Sequence, residues 1–499
     1  MSSTAPKTPF SRTGQAQAEP EAQSSKMSLA ETAEDHALVS VPEEHRQSGW
    51  RLSLSTIGVV TALVIFAITG YSVILAGFWN AVIGGIIVGL IGFGLGQLLG
   101  RMAHRTGVSS TITARYFGLG FRGSALAAAI FAFMILGFLA LESSLLYEGT
   151  LVMFGWPDTW LTKIGIYGVL TLAWIALAIF GLKLALRASG ILIVVTLVVA
   201  VFVAVHNFTV GGATWEAVFS TPGVVPGGAW AQIQAVVALA GATGAAVALV
   251  TTDMARYART RRDVTILAAA GPAVQSLVMS VLGAVVVVAA MPTMIQYLMA
   301  HQPGLSTQEA AAMAGGYAMG NTGAFFVVVA GWLGFVTIFA AQAKAQAMNA
   351  YSGSLALVNL VNAVSNRRAP RALMVVVGNA IALVMIGAGI LGSFVAWLSY
   401  LGAITFSLCG VMIADYYVVR RGAFDKRTHR IESFNWAGII TLVGAAILGI
   451  VLMVTGVWPL GFLASFVATI VVYPILRRIM PEGTGTSFTD QKTALVEAE

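Results

Sequence analysis

Glu142 and Lys344 stand inside long apolar runs. A charge at the centre of a hydrocarbon layer costs at least ~2.5–3.5 kcal/mol, so such residues persist where they are paired or face a watery cavity. Lys344 belongs to the segment Gln342-Ala343-Lys344-Ala345-Gln346-Ala347-Met348-Asn349. Spacings of four and three place Gln342, Gln346 and Asn349 on one helical face. Lys344 lies about 200° round the helix from Gln342, so it points elsewhere unless the helix is distorted. An amide stripe aimed inward suits a solute rich in hydrogen-bonding edges; aimed at a neighbouring helix it is glue. Gln342, Lys344 and Glu142 are therefore candidates for coupling ion movement. A fixed ammonium at Lys344, standing where a bound cation would sit, implies coupling to protons rather than sodium.

Glycine marks two further segments, Thr69-Gly70-Tyr71 and Gly241-Ala242-Thr243-Gly244. Glycine weakens a helix, and unwound backbone survives in a bilayer only where it is buried or lines a cavity. Gly70, Tyr71, Thr243 and Gly244 are thus candidate binding positions, with close helix packing the competing explanation. Gly85, Gly89, Gly92, Gly96 and Gly100 recur at four- or three-residue spacing, a helix-contact pattern. No strand precedes the Gly-x-Gly-x-x-Gly within 92–100, so it is not a nucleotide loop.

The elements that must position these residues are membrane helices. The chain has 499 residues, 10% of them charged, and a mean hydropathy of +0.84. That is too little charge to cover a soluble protein of this size. Apolar stretches of about 20 residues, enough to cross a ~30 Å core, are expected at 53–77, 80–99, 125–152, 161–181, 185–206, 229–252, 266–290, 323–349, 372–392, 394–418, 434–455 and 459–476. Long hydrophilic connections fall at 207–228 and 292–322. On this map Glu142 sits in the outer third of span three and Lys344 near the inner boundary of span eight. Direct pairing then requires span eight to start well outside or to tilt strongly. Of the 28 Lys and Arg, all but Lys163 and Lys344 fall in the tails or in alternate loops on one side. This is the positive-inside pattern of a protein of the cytoplasmic membrane with both termini in the cytoplasm. Residues 1–50 and 481–499 read as cytoplasmic tails, the first disordered to about residue 40, with no signal peptide.

Spans one and six, the glycine-weakened ones, are equivalent if spans 1–5 and 6–10 form two inverted repeats (about 51–206 and 229–418), with extra helices at 434–478. The fold class is then all-α and polytopic, with about twelve helices and a five-plus-five inverted-repeat transporter core. An alternating-access carrier for a small polar solute follows. Other classes fit less well. A channel would need a repeated ring motif along its pore. An enzyme would need a nucleophile, a cofactor loop or a His/Asp/Cys cluster, and none is visible. Cys409, the single cysteine, makes neither a disulfide nor a metal site and reads as packing. The net charge of +7 is explained by membrane orientation rather than by nucleic acid. Nothing calls for a cofactor beyond a coupling H+ or Na+, and nothing sets an oligomeric state. An amino-acid or amine symporter of the same fold, using Glu142 and Lys344 as counter-ions, is the alternative solute class.

Short motifs in a fixed order add to this reading. They are Val41-Pro42 with Arg46 and Gly49; His104-Arg105-Thr106-Gly107; Ala114-Arg115-Tyr116 with Gly120 and Arg122-Gly123-Ser124; and Thr252-Asp253-Met254-Ala255-Arg256-Tyr257. Further along stand Asn349-Ala350-Tyr351-Ser352-Gly353-Ser354-Leu355, Ile413-Ala414-Asp415-Tyr416-Tyr417 and Asn435-Trp436. From about Val41 to Arg478 the chain resembles the nucleobase–cation symporter family, in its purine–cytosine permease branch. The resemblance implies import of a nucleobase or related heterocycle (cytosine, a purine, or an allantoin- or hydantoin-like ring), bound between spans one, three, six and eight. Phe138 stands where the cytosine permeases carry a tryptophan, Ile135 where they carry a glutamine, Gly244 where they carry a phenylalanine, and Gln346 where they carry an asparagine. One stacking face remains, at Phe138, which points away from cytosine itself. Asp253 with Arg256, and Asp415 with Arg420, suit local ion pairs or carbonyl caps with a structural or gating role.

Overall fold

The computed structural model describes residues 38, 40–180, 182–424 and 430–489. We label the membrane helices α1–α12 in chain order. Helix α1 comes in two pieces, α1a (Gly49–Val60) and α1b (Leu63–Ala76), followed by α2 (Phe78–Thr106), α3 (Ser124–Phe154), α4 (Trp160–Ile179), α5 (Leu182–Thr209) and α6 (Gly228–Ala255). Helix α7 runs from Arg261 to His301, α8 from Thr322 to Ser365 and α9 from Arg371 to Gly387. The last three are α10 (Phe394–Ile413), α11 (Trp436–Val454) and α12 (Gly461–Ile479). Among the described residues ten helices are long and apolar enough to cross a membrane, α1a and α1b together make an eleventh bent by 57°, and α9 is a shorter apolar helix. Large apolar side chains such as Leu90, Ile164, Leu172, Ile191 and Val194 remain exposed on the outer faces. A belt of that kind belongs against lipid.

The packing pairs repeat when each helix is exchanged for the one five places on. Contact of α1b with α7 is mirrored by α6 with α2, α4 with α8 by α9 with α3, and α5 with α8 by α10 with α3. This is the five-plus-five core, and α11 and α12 pack on each other and on α10. The glycine face of α2 makes its approach to α6 and to α7 possible. A Cβ on Gly92 would lie 3.4 Å from the Gly244 backbone, and one on Gly85 would meet Ser280 Oγ at 2.1 Å.

Several sequence expectations are corrected. Helix α1 is broken at Thr61–Ala62, where Ala62 has an extended backbone, and α1b runs unbroken through Gly70. Helix α6 is continuous through Gly241–Gly244. Both glycines instead admit neighbours: a Cβ on Gly70 would sit 2.3 Å from Val287 Cγ2, and one on Gly244 3.3 Å from the Val88 carbonyl. The connection expected at 292–322 is mostly helical, because α7 continues to His301 and a further helix spans Thr307–Gly320. Helix α8 turns at Gly331 (φ 53°, ψ −128°) and continues 16 residues beyond Asn349.

The expected disorder of residues 1 to about 40 lies almost wholly outside the described residues. Residues 40–50 are folded: Val41 N–H donates to the Gly107 carbonyl at 3.0 Å, and Gln47 bridges to Ala258. In the C-terminal tail, Phe488–Thr489 pairs antiparallel with Ile431–Glu432. Cys409 is buried and free.

Candidate functional site

The break in α1 leaves a carbonyl, that of Thr61, without its helical partner, and in hydrocarbon such a group must be satisfied locally. Three consecutive β-branched residues, Val59-Val60-Thr61, precede the break and lower its helical preference. Lys344 Nζ donates to this Thr61 carbonyl at 3.1 Å and to the Ala341 carbonyl at 2.9 Å. The ammonium thus sits between α8 and the broken backbone of α1, and the side chain is buried.

The amide stripe faces the other way, onto α3. Gln342 Nε2 donates to the Glu142 carbonyl at 3.0 Å. Gln346 Nε2 donates to the Leu139 carbonyl at 3.0 Å and to Ser143 Oγ at 2.8 Å. Asn349 Nδ2 donates to Gln346 Oε1 at 3.1 Å and to the Glu142 carboxylate at 3.2 Å. The angular offset in the sequence is therefore real: Lys344 serves α1 and the amides serve α3. No ion pair joins Glu142 to Lys344 among the described residues, although each lies within the other's coulombic reach. Their depths agree once the turn at Gly331 is taken as the end of the long part of α8. Lys344 then lies about 20 Å along α8 from that turn, and Glu142 about 18 Å from the corresponding end of α3, at ~1.5 Å per residue.

A small cavity opens beside the break. It is lined by Val59, Val64 and Ile65 of α1, Ile135, Phe138 and Glu142 of α3, Thr243, Ala246, Val247 and Val250 of α6, and Asn349 of α8. The structure therefore gathers Phe138, Glu142, Thr243 and Asn349 around one space. Gln346 and Gln342 stand behind it. Gly70, Tyr71 and Gly244 are not part of its lining; Gly70 and Gly244 are occupied in helix packing, and Tyr71 packs between the main core and the apolar cluster around Val287. Thr243 is held from behind: its hydroxyl donates to the Ala240 carbonyl at 2.7 Å and accepts from Gln275 Nε2 at 2.6 Å. Gln275 belongs to a π-helical turn of α7, Val274–Met279.

Trp397 of α10 is a contributor that sequence spacing did not mark. Its ring meets Phe138 edge-on, centroids 5.1 Å apart and planes at 86°, an arrangement aromatic quadrupoles favour. Gly137 makes room, since a Cβ there would come within 2.2 Å of the indole.

At the end of the bundle that carries the basic loops, α6 is tied to its neighbours. Arg256 Nη2 donates to the Tyr351 hydroxyl at 2.9 Å and Nε to the Asp253 carbonyl at 3.1 Å, while Asp253 Oδ1 accepts from Ser110 N–H at 2.8 Å. Arg115 donates to Asn359, Asn362 and Ser124. Asp415 and Arg420 form an ion pair of 3.1 Å. The first expected pair is thus a carbonyl cap and the second a true ion pair.

The fold is shared with solved transporters. Mhp1, a nucleobase-cation-symport-1 family transporter, in a closed conformation with bromovinylhydantoin bound, is 16% identical (TM-score 0.65), covering 89% of this chain and 95% of that one. Its inward-facing conformation gives a TM-score of 0.67 at 16% identity, covering 92% and 96%. A Na+-coupled sialic acid symporter in a substrate-bound outward-open state gives 0.60 at 14% identity, covering 92% and 94%. No curated protein sequence matches the chain. A family model described as permease for cytosine/purines, uracil, thiamine and allantoin matches residues 40–473. The chain belongs to this family of multi-pass permeases.

Proposed function

We propose that this permease imports a planar nitrogen heterocycle through the cavity between α1, α3, α6 and α8, and that protons rather than sodium drive it. The observation that carries the coupling is the Lys344 ammonium bonded to the Thr61 and Ala341 carbonyls at the break in α1. Carbonyls freed at a broken membrane helix are the groups that coordinate a coupling cation in such folds. Here a covalently attached cation already occupies them. Loss of its proton would release α1a from α8, and that release would favour rocking of one helix set against the other. Phe138, braced by Trp397, offers a ring face for stacking. Glu142, Thr243 and Asn349 supply the polar side, with Gln346 fixing Asn349 and both glutamines tying α8 to α3. The basic loops and both tails face the cytoplasm in this reading, and residues about 51–206 and 229–418 are the two repeats of a protein of the cytoplasmic membrane.

The test is uptake of radiolabelled nucleobases and hydantoins into proteoliposomes with an imposed proton gradient or an imposed sodium gradient. Uptake that follows the proton gradient in sodium-free buffer is the expected result. Strict dependence on sodium removes Lys344 from the coupling role.

A further inference from the structure

With Glu142 ionised, the hydrogen bonds around the cavity leave only acceptors free. Its three polar side chains are Glu142, Thr243 and Asn349. Thr243 spends its proton on the Ala240 carbonyl. The orientation of the Asn349 amide is fixed by a chain that starts at a backbone carbonyl. Leu139 O can only accept, so Gln346 turns its NH2 to α3 and its Oε1 to Asn349. Asn349 must then spend its NH2 on Gln346 and Glu142, which turns its Oδ1 away. Among the described residues no donor reaches Asn349 Oδ1 or Glu142 Oε1. Gln342 spends its NH2 on the Glu142 carbonyl, and its Oε1 is buried without a partner. Lys344 is not part of the cavity lining, and two of its three N–H groups are bonded to carbonyls. A buried carboxylate with one neutral hydrogen bond and no ion pair is costly, and a donor from outside would relieve it.

We infer that the transported ring presents Glu142 and Asn349 with two adjacent N–H donors: a ring N–H flanked by an exocyclic amino group, an amidine-type edge. This rests on the reading of the cavity as a heterocycle site and narrows it. An imide edge, in which a ring N–H is flanked by carbonyls, would set a carbonyl oxygen against the carboxylate. Like acceptors facing each other in a dry site leave both unsatisfied, and such mismatches discriminate strongly. Glu142 is, in this view, a substrate ligand rather than a carrier of the coupling ion.

Isocytosine and uracil make a matched pair of probes, because they differ by the exchange of an amino group for a carbonyl. Their affinities are measured on the purified protein in detergent, and again by competition of uptake. Isocytosine should bind at least on the order of 100-fold more tightly than uracil. Glu142→Gln places an NH2 donor at the edge and should narrow or reverse that ratio. The wild-type ratio decides the matter even if the variant fails to fold. Equal binding of the two, a preference for uracil, or a ratio unmoved in a folded Glu142→Gln protein overturns the inference and leaves the heterocycle reading intact. Competition by simple alkylamines with no effect of any ring compound overturns both.

Discussion

Replacing Lys344 by alanine should uncouple the carrier while leaving exchange in place. The ammonium makes two bonds to carbonyls, Thr61 on the broken helix and Ala341 on its own helix. Hydrogen bonds from charged donors contribute ~1.5–3 kcal/mol each, and the desolvation of a buried ammonium takes back several kcal/mol. The two terms largely cancel, so the balance between conformations shifts by about 1 kcal/mol or less, while the site of proton loss is removed. The larger effect is on accumulation. One elementary charge moving through about 100 mV is worth ~2.3 kcal/mol, which sustains a concentration ratio of about 50 at equilibrium. Without a titrating group at the break, that ratio should fall to about 1, while counterflow of labelled for unlabelled substrate changes only a few-fold. The assay uses proteoliposomes loaded with or without unlabelled substrate, under a fixed proton gradient. If accumulation and exchange fall together, Lys344 holds the structure and nothing more. If accumulation survives, the proton moves elsewhere.

Other outcomes follow from single contacts. Phe138→Ala should raise the concentration for half-maximal uptake about 10- to 100-fold at normal expression, since stacking of a base on an aromatic ring is worth ~1–3 kcal/mol; an unchanged value removes Phe138 from the site. Gly70→Ala should destabilise the protein by ~1–3 kcal/mol, because the new Cβ would collide with Val287 at 2.3 Å. Thermal unfolding in detergent checks it, and a neutral result would return Gly70 to an unwound segment. Asp158, in the loop after α3, has its carboxyl held below the usual range by the Tyr147 hydroxyl and by Lys163. A lowered folded-state pKa stabilises above the unfolded value and is lost as pH falls through the folded one. Asp158→Asn should therefore lower stability by under about 1 kcal/mol at neutral pH, this group being half exposed. The difference from wild type should vanish in strongly acidic buffer, and a difference independent of pH would assign the effect to packing.

Much of the helix map was legible because hydropathy over about 20 residues is a local property that the bilayer tests directly. The α3 span expected at 125–152 is observed as Ser124–Phe154. Span eight was harder. Its apolar run begins at Thr322, but a positive φ at Gly331 turns the chain, and the polar stripe then continues to Ser365. Composition does not separate those two pieces, so the depth of Lys344 came out wrong by most of a membrane leaflet. In span one, Gly70 offered either a break or a close helix contact. Glycine signals weakness, and equally signals a close neighbour, and in both Gly70 and Gly244 the neighbour won. Trp397 gave no signal, because its contact with Phe138 joins residues more than 250 positions apart.

Sequence alone determined the membrane setting, the approximate spans, the one-sided distribution of basic loops and the placement of Glu142 and Lys344 in apolar surroundings. Each follows from free energies that a short stretch of chain pays independently of the rest. Tertiary structure decided where α1 breaks, that Lys344 faces that break while Glu142 and Asn349 face the cavity, and that the amides point their N–H groups at α3. Those outcomes depend on which backbone carbonyls are left unsatisfied after distant helices have packed, and no local pattern of residues encodes that.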